Sequence, residues 1–293
     1  VQSYGVCGLQ LQPLVDALRP VLLERSVLHA DETPVAMLAP GKGKTHRAYV
    51  WSYSSTQFDG VHAVIYDFAD SRAAAHPKQF LQGWSGKLVC DDYSGYKSLF
   101  AEGVTEAGCL AHARRKFSDL WTNHKSPLAE EALKLFGKLY DIERQAQDLS
   151  AEQRHRLRQL QSKPIADKLR EWLLLHRQKA TDGTGIAKAI DYSLGRWPAP
   201  TRFLVRVTFP IDNNWVENRI RPIALGRSNW LFAGSLRAGK RAAAIMSLIQ
   251  SARLNGHDPY RYLKNVLERL PTQPASRIHE LLPHSWTPAI TSS

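Results

Sequence analysis

Cysteine is scarce in this chain: Cys7, Cys90 and Cys109 are the only three among 293 residues, and no two are neighbours. So few isolated thiols cannot make a disulfide framework. With no signal-peptide pattern ahead of them, they point to a reducing compartment, and a cytoplasmic location is expected. Cys109 and His112 form one C-x-x-H pair, yet no second pair of matching spacing occurs. A structural zinc site needs four ligands, so zinc is not expected. Apolar runs are short as well. The greasiest pieces, such as "WLLLH", fall far below the ~20 residues of a membrane span, which excludes a membrane partner of that kind. Internal repeats and low-complexity tracts are also missing.

Positive charge, by contrast, is plentiful. Lys and Arg number 39 against 27 acids, a formal net charge of +12. The excess gathers in "GKGKTHR", "HARRKF", "RHRLRQ" and "RIRPIALGR". Such clustering suits a polyanionic partner, most simply nucleic acid. The 43% apolar content is that of an ordinary folded protein, and the length admits one large domain with an insertion or two smaller domains. The first residue is Val1, and a helical apolar pattern starts almost at once. The chain is therefore expected to be a shortened form of something longer.

Periodicity orders the elements. "LQPLVDALRPVLLE" reads as a helix that Pro20 kinks or breaks. "VLHADE", "RAYVWSYSS" and "VHAVIYDFA" are β-branched and aromatic runs separated by turn residues, hence consecutive strands. "HPKQFLQGW" reads as a helix and "GKLVCDD" as a fourth strand reached by a crossover. "YKSLFAEG" predicts a short helix and "TEAGCLAH" a fifth strand that ends at His112. From about 113 to 200 no strand is expected. Leu128, Ala132, Leu135, Leu139, Ile142 and Ala146 mark a long amphipathic helix, "SAEQ" a capping box opening a second, "SKPIADKLREWLLLHRQ" a third with Pro164 in its first turn, and "TGIAKAIDYSLGRW" a fourth.

Three carboxylates stand out in this layout. Asp31 ends the first strand in "VLHADETPV", Asp91 ends the fourth in "KLVCDDYSGY", and Glu217 falls in the first turns of a later helix in "IDNNWVENRIRP". Singly, each has a plain explanation: "DETP" and "DDYSG" are turn sequences, and Asn214 with Glu217 has capping-box spacing. Together they can converge on one edge of a sheet, where like charges need a counter-ion. Hard oxygen ligands select Mg²⁺ or Mn²⁺, and three carboxylates can hold two such ions ~3.5 to 4 Å apart. Around Glu217, Arg219, Arg221 and Arg227 suit phosphate binding, although Arg221 also has the i, i+4 spacing of a simple ion pair with Glu217 and Pro222 is expected to stop or bend the helix. "GRSNWLFAGS" puts Asn229, Trp230 and Phe232 in a Gly-bounded loop able to stack on an unpaired base or to pack inward. Arg114, Arg115 and Lys116 are expected to contact a nucleic-acid backbone, and Lys240 to join the DNA-binding set. His29 shares a strand face with Asp31 by alternation.

The motifs "HADETPV", "DDYSGY", "GCLAHARRKF", "DNNWVENRIRPIALGRSNWLFAGS" and "SLIQSARLNGHDPYRYL" resemble the transposase of the insertion sequence 66 family, over residues of about 10 to 285. The resemblance implies an α/β fold with a ribonuclease-H-like five-stranded mixed sheet flanked by helices and an all-helical insertion. It implies a DDE-type DNA transposase that cleaves and joins phosphodiesters with two Mg²⁺ or Mn²⁺ ions, on element ends and target duplex, as a homo-oligomer assembled on DNA. The catalytic and metal-binding acids then fall on Asp31, Asp91 and Glu217. A nuclease of the same fold without strand transfer, or an inactive DNA-binding remnant, are the competing readings. Relatives tend to have a small residue after the second Asp, whereas this chain has Asp92. Relatives also carry a coiled coil, a zinc-binding segment and a helix-turn-helix-like region upstream, so recognition of element ends is expected to lie outside these residues. The implied division is a helical lead-in at 1–26, the first part of the core at 27–112, the insertion at 113–200, the rest of the core with the Glu helix at 201–255, and a C-terminal element at 256–293.

Overall fold

A computed structural model describes residues 8–288, so Cys7 and the two chain ends lie outside the described residues. Helix α1 (Gln12–Leu23) runs through Pro20 without a break. Proline removes one backbone donor, but Leu14, Val15, Leu18 and Leu22 are buried along a single stripe that holds the helix together. Strands β1 (Val27–Leu38), β2 (Thr45–Ser55) and β3 (Val64–Ala69) follow as an antiparallel meander. Then come helix α2 (Ala75–Phe80), strand β4 (Lys87–Cys90), helix α3 (Lys97–Ala101) and strand β5 (Thr105–Gly108). The expected succession of three strands, helix, strand, helix, strand is therefore present. The sheet order is β3-β2-β1-β4-β5. The helix-bearing connections into β4 and β5 are of the parallel kind, and with the hairpins they make a mixed sheet.

The described chain divides into two compact units. The first contains residues up to Leu88, Tyr93–Thr105 and everything from Trp215 on. In it the pleat of β1 sorts side chains strictly by parity. Val35 of β1, Ala48 and Val50 of β2, and Val64, Tyr66 and Phe68 of β3 form one face, packed against Ile220 and Ile223 of helix α9 (Asn214–Trp230) and Ala243 of helix α10 (Leu236–Leu254). The opposite face is aromatic: Tyr53 stacks on Phe80 with ring centroids 3.8 Å apart, and Trp51 meets Tyr96 edge-on at 5.9 Å.

Strand β3 is an edge, and its outward amides would be left bare. Helix α10 covers them with serines. Ser247 Oγ accepts from Tyr66 N at 2.8 Å, and Ser251 Oγ accepts from Val64 N at 3.0 Å while donating to Val64 O. Two residues along a strand and four along a helix span nearly the same distance, so the i, i+4 serines match the i, i+2 amides. Gly239 lets the helix approach, because a Cβ there would lie 2.4 Å from the Phe68 ring.

The second unit, Val89–Asp92 with Glu106–Asn214, is helical apart from its strand ends. Strand β5 stops at Gly108, four residues short of the expected end. Cys109 caps helix α4 (Leu110–His124) in extended conformation, and Leu110 N donates to Ile211 O at 3.1 Å. His112 thus sits in a first helical turn rather than at a strand end. Ser126 caps helix α5 (Pro127–Gln145), and Phe117 packs on Phe136 at 5.7 Å to join the pair. Ser150 and Gln153 form the expected capping box of helix α6 (Ala151–Leu157). The second and third expected helices then prove continuous. A π turn (Arg158–Ser162) carries α6 straight into helix α7 (Lys163–Lys179), and the wider turn lies just ahead of Pro164, which has no N–H to donate. Arg158 of that turn is fully buried, bonding Glu143 through Nε at 2.8 Å and Nη2 at 2.6 Å and Phe203 O at 3.0 Å. Helix α8 (Gly185–Gly195) begins at a Thr184 cap.

Back in the first unit, α9 continues through Pro222 for another eight residues to Trp230, so the expected stop is absent. Ile220 and Ile223, buried on either side of the proline, hold it to the sheet. Helix α11 (Pro259–Arg269) follows, and the stretch after it folds back on it, Tyr262 Oη donating to Leu281 O at 2.8 Å and Trp286 Nε1 to Asn265 Oδ1 at 2.9 Å.

Candidate active site

Adjacent acids separate cleanly along β1. Glu32 points to the aromatic face, where Arg72 forms an ion pair with it and Tyr96 Oη donates to its Oε2 at 2.7 Å. Arg72 is itself stacked 3.8 Å over the Tyr93 ring. Asp31 does not end the strand as expected but lies inside it, since pairing with β2 continues through Pro34 to Leu38, and it has the other parity. It pairs with Ser52, which pairs with Tyr66, so the three form one row across β1, β2 and β3 on the face that α9 covers. His29 lies on this face too, opposite Ser54 and fully buried. One Asp31 oxygen, Oδ1, accepts from Glu32 N at 2.9 Å, which steadies the carboxylate.

Two ties hold α9 to that face. Tyr66 Oη donates to Arg219 O at 2.6 Å, two residues beyond Glu217. Near the end of the helix, Arg227 Nη1 donates to Pro34 O at 2.7 Å and Thr33 Oγ1 at 3.4 Å. The row that begins at Asp31 therefore ends at the turn of helix that carries Glu217. Burial drives the Tyr66 phenol well above its usual range, so it remains a neutral donor. Asp31 and Glu217 are both half-buried.

Asp91 and Asp92 follow β4 in the second unit. Arg196 forms an ion pair with Asp92 and another with Glu106 at 2.5 Å. Asp91 is half-buried and acts electrostatically on Arg196 and on Tyr192, whose phenol is pushed up to about 12 by burial first and then by neighbouring acidic groups, Asp91 among them. Cys109 is buried, its Sγ accepting from Asn213 N at 3.2 Å.

The cationic candidates divide by what they touch. Arg219 is half-buried with its guanidinium 4.2 Å over the Trp215 ring, and burial lowers its pKa. Arg227 is occupied by the β1 backbone as described. Lys116 lies 4.4 Å over the Tyr192 ring. Lys240 is close enough to Asp67 to offset part of the burial that raises that acid's pKa. Arg114, Arg115 and Arg221 are exposed. Asn229 and Trp230 are in the last turn of α9 rather than in a loop, and the chain leaves the helix at Leu231 with φ +60°. Trp230 is 44% exposed and Phe232 42%, and both line an apolar cavity of about 430 Å³ with Val35, Phe68, Gly239 and Met246. Ala233 then bonds the β1 backbone at Ala36 and Leu38.

Sequence reasoning missed Ser52 and Tyr66. Strand alternation put them on the right parity, but pairing register, which alone sets them in line with Asp31, is not written in any one strand.

The architecture defines an α/β protein on a five-stranded mixed sheet, with a helical stretch of chain between β5 and an acid-bearing helix that returns to the sheet. The chain belongs to the IS66 family of transposases: residues 1–241 match the model of that family, and residues 247–284 match its C-terminal element. Three proteins of Sinorhizobium fredii (strain NBRC 101917 / NGR234), uncharacterized proteins y4hP, y4jD and y4qI, are 36%, 35% and 36% identical to it over 96%, 94% and 98% of this chain. The chain spans 54% to 57% of the length of these relatives. Among the described residues no helix is long and apolar enough to cross a membrane.

Proposed function

We propose that the chain is the catalytic part of a DNA transposase with a ribonuclease-H-like core, in which Asp31, Asp91 and Glu217 hold two Mg²⁺ or Mn²⁺ ions. The observation that carries this reading is the row from Asp31 through Ser52 to Tyr66, whose hydroxyl bonds the helix beside Glu217. Family membership and the strand order, with an acid on central β1 and another directly after β4, support it. Three carboxylates are the hard oxygen donors such ions require. When bound, two ions activate the attacking water or 3′-hydroxyl and neutralise the leaving oxygen.

The chain's own groups prepare that chemistry. Asp31 is steadied by the Glu32 amide, and Tyr66 and Arg227 fix the pitch and height of the Glu217 helix. Arg196 engages Asp92 in an ion pair, which favours Asp91 as the second ligand. Arg221 offers an exposed charge to a phosphate, with Arg219 behind it on Trp215. Trp230 and Asn229 present a stacking face and an amide at the helix end, Lys240 adds charge, and Arg114 and Arg115 contact the nucleic-acid backbone. Assembly as a homo-oligomer on element ends belongs to the same reading.

The test uses purified protein, Mg²⁺, a labelled duplex with an exposed 3′-hydroxyl and a target plasmid, at low salt so that sequence-independent binding suffices. Joined 3′ ends are expected; hydrolysis without joining would favour a nuclease, and absence of both would overturn the catalytic reading.

A further inference from the structure

The second unit contains a polar cleft of about 570 Å³ between α4 and α5. Each helix contributes a stripe at i, i+3/i+4, i+7 spacing: Ala111, Arg114, Arg115 and Ser118 from one, and Gly137, Asp141 and Arg144 from the other, with Asn214 at the end. Three arginines face one carboxylate, and Asp141 is paired to Arg144. The cleft thus keeps a net positive charge with an amide and a hydroxyl beside it, the donor set that fits a phosphodiester oxygen.

Gly137 points the same way. Glycine in mid-helix costs about 1 kcal/mol relative to alanine, a loss normally accepted for close packing. Gly239, inside α10, has such a reason, since a Cβ there would lie 2.4 Å from the Phe68 ring. At Gly137 a Cβ would meet nothing within 4 Å. No protein neighbour requires the missing side chain, whereas a strand backbone lying in the cleft would.

We propose that this cleft is a seat for one or two successive phosphates of a DNA strand, held by Arg114, Arg115 and Arg144 over a floor kept low by Gly137. It rests on the reading that the protein acts on DNA, and it gives the helical unit a duty of its own: gripping the strand without reading sequence. Arg144 and Gly137 belong to it, while Lys116 on Tyr192 does not.

The test measures duplex affinity by fluorescence anisotropy across a salt series, with EDTA present so that chemistry plays no part. For Arg115→Gln and Arg144→Gln, the slope of log affinity against log salt is expected to fall by about one each. Lys134→Gln, on α5 but paired with Glu130 and outside the cleft lining, should leave the slope unchanged. Gly137→Leu should weaken binding, while Gly137→Ala should raise the melting temperature. Wild-type slopes in both arginine variants would overturn the proposal, as would a lower melting temperature in Gly137→Ala. A parallel ³¹P titration with inorganic phosphate separates the ligand sources: loss of free-phosphate binding in the variants with unchanged duplex affinity would overturn the DNA assignment. Failure here reads as wild-type affinity without metal; failure of the catalytic reading would instead appear as absent cleavage by the wild type with metal.

Discussion

At the scale of single residues, neighbouring acids are told apart by what already engages them. Glu32 is held by Arg72 and Tyr96 on one face of the sheet, and Asp31 faces α9 on the other. The proposed roles imply that Asp31→Asn, Asp91→Asn and Glu217→Gln each abolish Mg²⁺-dependent cleavage while leaving duplex affinity in EDTA unchanged, because one lost charge empties a metal cage without disturbing the sheet. Full cleavage by any of the three would remove that residue from the set. Asp92→Asn is expected to act on the fold instead, costing about 1 kcal/mol or less through its part-exposed pair with Arg196. Leu231 offers a gain. It adopts φ +60° while 63% exposed, a conformation glycine takes more easily, so Leu231→Gly should raise stability by up to about 1 kcal/mol in urea unfolding.

Elements in this fold are closed off by polar side chains at positions where apolar periodicity shows nothing. The β3 edge depends on Ser247 and Ser251, both fully buried. Replacing either by alanine leaves a buried amide without its acceptor, and each change should cost about 1 to 3 kcal/mol in urea unfolding. A loss below the error of the measurement would show that water replaces the hydroxyl. The π turn between α6 and α7 similarly depends on Glu143, which lies against the buried Arg158 guanidinium. Glu143→Ala should destabilise by about 3 to 5 kcal/mol, because it leaves an uncompensated buried cation. Both prolines read as helix breakers, Pro20 and Pro222, sit inside continuous helices since one missing donor weighs less than a buried apolar stripe.

For the molecule as a whole, the formal charge of +12 sets the expected response to salt. Neutralised phosphates release counterions, so log affinity for duplex should fall linearly with log salt, at about −0.9 for each phosphate contacted. A flat dependence would separate the basic character from DNA binding altogether. The same titration with labelled element ends against unrelated duplex shows whether these residues read sequence. A preference approaching the ~10³-fold of specific binders would direct attention to Trp230 and Asn229 at the end of α9.

Much of this is legible in the sequence alone. Strand alternation and turn residues placed the start of β1 and the positions of β2 to β4, though β1 runs on past Asp31 to Leu38; heptad-like spacing placed α5, Ser150 with Gln153 marked the start of α6, and the motifs around Asp31, Asp91 and Glu217 carried the family. These signals are local: a pleat, a helical turn and a capping hydroxyl each act within a few residues of chain. Other features depended on the tertiary structure, because they arise from partners far apart in sequence. Register aligned Asp31 with Ser52 and Tyr66, and a tyrosine hydroxyl from β3 found the carbonyl of Arg219, 153 residues away. Serines of α10 met an edge strand more than 180 residues earlier. Packing carried two helices across their prolines, and the close approach of α4 and α5 turned scattered arginines and an unexplained glycine into a single cleft. Periodicity says which side of an element turns inward; only the folded chain decides what that side meets there.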